Sequence, residues 1–82
     1  MKSDIKPIVT EKAVMMIEKD NILTFIVDKR RTKQEIKKEL EEIFDIKIKK
    51  IKTHIKSNKK YVYVKLKKEF PAIDLATKLG II

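Results

Sequence analysis

Between residues 36 and 66 the spacing of apolar residues changes from helical to alternating, and this limits what the middle of the chain can become. Ile36, Leu40, Ile43 and Phe44 fall at i, i+4, i+7 and i+8, one stripe of an amphipathic helix. Thr32-Lys33-Gln34-Glu35 ahead of them has the form of a capping box, in which the threonine bonds forward and the glutamate reaches back. Lys37–Glu41 and Lys38–Glu42 suit its outer face. From Ile46 the period becomes two. Ile46 and Ile48 alternate with lysines, the phase slips at Lys49-Lys50, and Ile51, Thr53 and Ile55 resume it. The slip predicts a bulge, or places Ile46 in the connection from the helix. Ser57-Asn58 is a turn signal. Tyr61 to Leu66 then returns, with Val62, Val64 and Leu66 on one side and Tyr61, Tyr63 and Lys65 on the other, completing a β-hairpin.

The flanking segments fit around this unit. Ile5 to Val9 is a short extended run whose Pro7 suits an edge strand. Thr10 can cap a helix that has Glu11 in its first turn, Val9 and Val14 at staple spacing, and a sticky face of Ala13, Val14, Met16 and Ile17. Asp20-Asn21 turns the chain out of it. Ile22 to Asp28 has apolar residues on both faces and reads as a central strand. Pro71 opens a last helix with Ile73, Leu75, Ala76 and Leu79 as its apolar face and Gly80 as its cap. The expected fold is α+β: a small, mainly antiparallel four-stranded sheet with helices packed on it, in the order β-α-β-α-β-β-α. Residues 1–82 are expected to form one domain, with no linker or repeat between them.

Chemistry for catalysis is scarce. One histidine and no cysteine leave no transition-metal site of the usual kind, and a single glycine excludes Gly-rich phosphate loops. Carboxylate pairs such as Glu41-Glu42 read as solvated surface, and Met15-Met16 as core filling. No catalytic residue, metal or cofactor is expected, and no membrane insertion: the apolar run Ala13 to Ile17 is far shorter than the roughly 20 residues a spanning helix needs. A cytoplasmic protein is the expectation.

Charge points to a partner. The chain carries 21 lysines and arginines against 12 acids, a net charge of +9. From Ile46 to Lys68 there are ten lysines and no acid, whereas Glu41, Glu42 and Asp45 stand just before them. Segregation of this kind is expected of a surface that grips a polyanion by releasing its counterions. Tyr61 and Tyr63 share a strand face among these lysines, where they either stack on exposed bases or pack under a helix. His54 is a contact to phosphate or base, or a partly exposed structural residue. Lys29-Arg30-Arg31 adds guanidinium groups suited to bidentate phosphate contact.

Several of these segments together resemble the large-subunit ribosomal protein L23 family. Pro7-Ile8-Val9-Thr10-Glu11-Lys12-Ala13 resembles its opening motif, and Thr32-Lys33-Gln34-Glu35-Ile36-Lys37 its helix start. Phe44 through Ile51 with Thr53 resembles its first hairpin strand, with isoleucine in place of valine. Lys60 through Leu66 resembles the return strand, and Asp74-Leu75-Ala76 with Gly80 its last helix. The resemblance implies a ribosome-bound protein seated on large-subunit rRNA among neighbouring ribosomal proteins, beside the polypeptide exit tunnel. It also implies a docking point for nascent-chain factors: trigger factor in bacteria, and the signal recognition particle or nascent-chain-associated complex elsewhere. Glu11 matches the family's docking glutamate, with Met15 and Glu18 extending that surface; by itself Glu11 is also explained as an acid at a helix N-terminus. Two departures stand out. Ser57-Asn58-Lys59 leaves no room for the long tunnel-lining hairpin extension of bacterial members, so the chain is similar to an archaeal-type short form. Tyr61 replaces a basic position.

The expected rRNA-binding set is Arg30, Arg31, Lys33, Lys47, Lys49, Lys52, His54, Lys56, Lys59, Lys60 and Tyr63. A different class of function remains: a basic adaptor domain whose hairpin binds an acidic protein partner.

Overall fold

The computed structural model describes residues 5–81. Its elements run β1 (Lys6–Pro7), α1 (Glu11–Asp20), β2 (Ile22–Asp28), α2 (Lys33–Phe44), β3 (Ile48–Lys56), β4 (Lys59–Leu66) and α3 (Ala72–Leu79). The sheet order is β1-β2-β4-β3, and every neighbouring pair is antiparallel. This is the α+β architecture and element order expected from the sequence.

Local chemistry sets the helix ends. The Thr10 hydroxyl accepts the Ala13 N–H at 3.0 Å and starts α1. Thr32 and Glu35 form the full capping box of α2, the glutamate accepting the Thr32 N–H at 3.0 Å. Both helices end on a left-handed residue, Asn21 and Asp45, short polar side chains that tolerate this backbone. Gly80, with φ of 76°, ends α3.

Residues opposite one another on antiparallel strands share a face. On one face lie Leu23, Phe25 and Val27 of β2, Val62, Val64 and Leu66 of β4, and Ile48 and Ile51 of β3. Ile36 and Leu40 of α2 and Ala72, Leu75 and Ala76 of α3 close over them to form the core. Ile17 of α1 joins from the β2 side.

Some expected details change. β1 is two residues long, and Pro7 is tolerated in it because its nitrogen faces away from β2; the next residue, Ile8, donates its N–H to the Thr24 carbonyl at 3.0 Å. Val9 is 59% exposed, so no staple is buried at α1. Glu41 turns its carboxylate to the Ile48 N–H at 2.9 Å rather than to Lys37, fastening the end of α2 to the start of β3. The phase slip is a bulge: the register shifts between Ile48 and Lys50, while Ile46 lies in the connection. Ile43 sits at the margin of its stripe, 41% exposed.

Candidate nucleic-acid interface

The strand register that builds the core also builds the opposite face of the sheet. Four rungs cross it. Lys50, Lys65 and Ile22 form the first, and Lys52, Tyr63 and Thr24 the second. His54, Tyr61 and Ile26 form the third, and Lys56, Lys59 and Asp28 the fourth. Three rings thus lie side by side in the middle of the face, with ammonium groups at both ends. Tyr61 and Tyr63 are half-buried, while His54, Lys52, Lys56 and Lys59 are exposed. The tyrosines point away from the core that α2 and α3 cover, toward the side bordered by α1. Lys12 and Met16 of α1 border the same face beside Tyr63.

Among the described residues, no ion pair engages the lysines of these rungs. Asp28 is the acid of the fourth rung, and Arg30 clamps it. The Arg30 Nη2 and Nε donate to its two oxygens at 2.9 and 3.1 Å, and the Arg30 backbone N–H donates to Oδ1 at 2.9 Å. These bonds, the guanidinium's first and the amide's second, hold the Asp28 carboxyl well below the usual carboxylate range. The negative charge closest to the lysine rungs is therefore held against a guanidinium.

The expected binding residues divide by position. Lys52, His54, Lys56, Lys59 and Tyr63 share the ringed face. Lys49, the extra residue of the bulge, lies at its end in a shallow depression with Lys65 and Lys68. Lys47 is exposed in the connection before β3, and Lys33 is exposed in the first turn of α2. Arg30 holds Asp28 through Nε and Nη2 while its side chain stays 85% exposed beside the fourth rung. Arg31 is half-buried and ion-paired with Glu39 of α2. Lys60 points to the core side of the sheet, where its ammonium group donates to the Arg31 carbonyl at 2.5 Å. Arg31, Lys60 and Lys33 are thus not brought together with the rings.

Lys50, Lys65, Tyr61, Lys12 and Thr24 belong to this face and were absent from the expected set. Parity with Lys52 and Lys56 points to Lys50, and parity with Tyr61 and Tyr63 points to Lys65. For Thr24 the pairing of β2 with β4 had to be known, and for Lys12 the packing of α1 beside the sheet. On α1, Glu11, Met15 and Glu18 occupy one side of the helix and are all exposed, Met15 by 50%. That side is turned away from buried Ala13 and Ile17.

The family model described as ribosomal protein L23 matches residues 2–73. A large ribosomal subunit protein uL23 from Pyrobaculum aerophilum is 45% identical over 76 residues, covering 92% of this chain and 94% of the relative. The near-complete coverage of an archaeal relative, together with a hairpin closed by the two residues Ser57 and Asn58, fits the short form. The chain belongs to the ribosomal protein L23 family, structural proteins of the ribosome rather than enzymes.

Proposed function

We propose that this chain is a constituent of the large ribosomal subunit that binds large-subunit rRNA through the ringed, lysine-framed face of its sheet. The observation that carries the reading is the register of β3, β4 and β2. It sets Lys50, Lys52, Lys56, Lys59 and Lys65 around His54, Tyr61 and Tyr63 on one surface. Ammonium groups bind phosphates by displacing counterions, and rings offer stacking surfaces to unpaired bases. An acidic protein partner would use the lysines but has no need of three adjacent rings, which favours RNA over the adaptor reading.

The same reading seats the protein near the polypeptide exit tunnel, in the cytoplasm, beside neighbouring ribosomal proteins. Its exposed α1 side, with Met15 between Glu11 and Glu18, then contributes to a docking site for a nascent-chain factor such as the signal recognition particle or nascent-chain-associated complex. Family membership and the exposure of that side support this placement. The two-residue hairpin turn argues against a tunnel-lining extension.

Filter binding of the full chain to a large-subunit rRNA transcript, titrated with salt, tests the RNA reading. With about six phosphates neutralised, the slope of log affinity against log salt should be roughly −4 to −5. A slope near −1 overturns it.

A further inference from the structure

Between α1 and the ringed face runs a groove of about 460 Å³, within the range of small-molecule sites, roughly 300–1,000 Å³. Thr24, Tyr61, Tyr63 and His54 line it from the sheet, and Met16 and Lys12 from α1. Thr24 is the unusual member. It is only 6% exposed, and its hydroxyl oxygen is buried without a hydrogen-bond partner. A buried hydroxyl is normally paired, because leaving it unmade forfeits the bonds it had in water. The neighbouring Thr10 hydroxyl, by contrast, accepts the Ala13 N–H.

The combination has a defined chemistry. Phenol and imidazole rings and the Met16 thioether suit a flat, weakly polar body. The Thr24 hydroxyl can donate or accept one hydrogen bond at that body's edge. Lys12, and Lys56 at the other margin, suit anionic groups on either side. A single nucleotide turned out of its helix has this layout: a planar base with polar edges, joined to phosphates before and after it.

We propose that the groove takes one extruded nucleotide of the bound rRNA. Its base lies against Tyr63 and Tyr61, its polar edge or ribose hydroxyl pairs with Thr24, and its flanking phosphates meet Lys12 and Lys56. Thr24 then acts as a specificity residue inside a surface that otherwise reads charge. This rests on the rRNA-binding reading above and adds a site to it.

The test uses the full chain and the same rRNA transcript, with affinity and salt slope measured together. Thr24→Val keeps the side-chain shape and removes the hydroxyl. Its thermal midpoint should equal or exceed that of the parent, while rRNA affinity falls about tenfold, one hydrogen bond's worth, at an unchanged salt slope. Tyr63→Leu should bind at least fivefold more weakly, as loss of a base stack requires. Parental affinity in a folded Thr24→Val, or in Tyr63→Leu, overturns the nucleotide site while leaving the charge-based reading intact. A parental slope near −1 instead removes the rRNA reading itself, and the groove proposal with it.

Discussion

The side-chain oxygen of Asn21 accepts the backbone N–H of Ala72 at 2.5 Å, capping α3 from 51 residues away. Pro71 occupies the N-cap position of α3 and offers no side-chain bond. The Asn21 amide also donates to the carbonyls of Leu66 at 3.1 Å and Phe70 at 3.3 Å. One residue therefore ends α1 in a left-handed turn and ties that turn to the β4–α3 connection. Asn21→Gly keeps the backbone conformation and loses every side-chain bond, which should cost about 1–3 kcal/mol. Asn21→Ala adds left-handed strain of roughly 1–2 kcal/mol. Urea melts should rank the parent above Gly and Gly above Ala; equal midpoints for all three would show that the tie contributes nothing.

The hairpin turn offers the opposite experiment. Ser57 and Asn58 both have positive φ, 51° and 67°, the backbone of a type I′ turn. Serine is a poor occupant of that conformation and asparagine a better one. Ser57→Asn should stabilise the protein by about 0.5 kcal/mol, a rise of roughly 2–4 °C in Tm for a chain of this size. Ser57→Val, β-branched in the same turn, should lower it. Scanning calorimetry separates the two.

These two turns show where sequence reasoning reaches. The turn at Ser57-Asn58 and the helix Lys33–Phe44 with its Thr32 cap were legible because their determinants are neighbours in the chain. The bulge was legible as a phase slip for the same reason. The role of Asn21 was visible only as a turn, because its partners lie dozens of residues away. The candidate interface falls between these cases. Alternation within β3 and β4 placed Lys52, Lys56 and Tyr63 correctly relative to the core. Only the β2–β4 register revealed that Thr24 lies beside Tyr63, whereas the parity Lys60 shares with Val62 and Val64 already put it on the core side, and the fold adds its bond to the Arg31 carbonyl.

Asp28 links stability to acid. Its carboxyl is held low by Arg30, so the stabilisation is fully present above the unfolded value of about 3.9 and is lost as pH falls through the folded one. Asp28→Asn should therefore be less stable than the parent at pH 5–8, with a constant gap that closes below about pH 4. Because Asp28 stands in the rung of Lys59 and Lys56, the same variant should bind rRNA roughly two- to fivefold more tightly at neutral pH. Unchanged binding would mean that the fourth rung lies outside the interface.

On α1, Met15→Asp combined with Glu18→Lys changes only exposed side chains on one side of the helix. Incorporation into large subunits should be unchanged in sucrose gradients. Co-sedimentation of the signal recognition particle with those subunits should fall about tenfold, the scale expected when an exposed apolar anchor is replaced. Loss of incorporation would place this side of α1 against the ribosome instead of the factor.

The lysines should differ according to the face they occupy, although all are basic. Lys52→Gln and Lys56→Gln each remove an ammonium group from the ringed face, so each should reduce the salt slope by about 0.7–0.9. Lys60→Gln removes the same charge four residues further on, but on the core side, where its ammonium group holds the Arg31 carbonyl. That variant should lose about 1 kcal/mol of stability, as for an ordinary hydrogen bond, with its salt slope unchanged. Net charge falls equally in all three, so a model in which overall positive charge drives binding predicts three equal slopes. A Lys60 variant whose slope drops as far as that of Lys52 would favour that model over a defined surface.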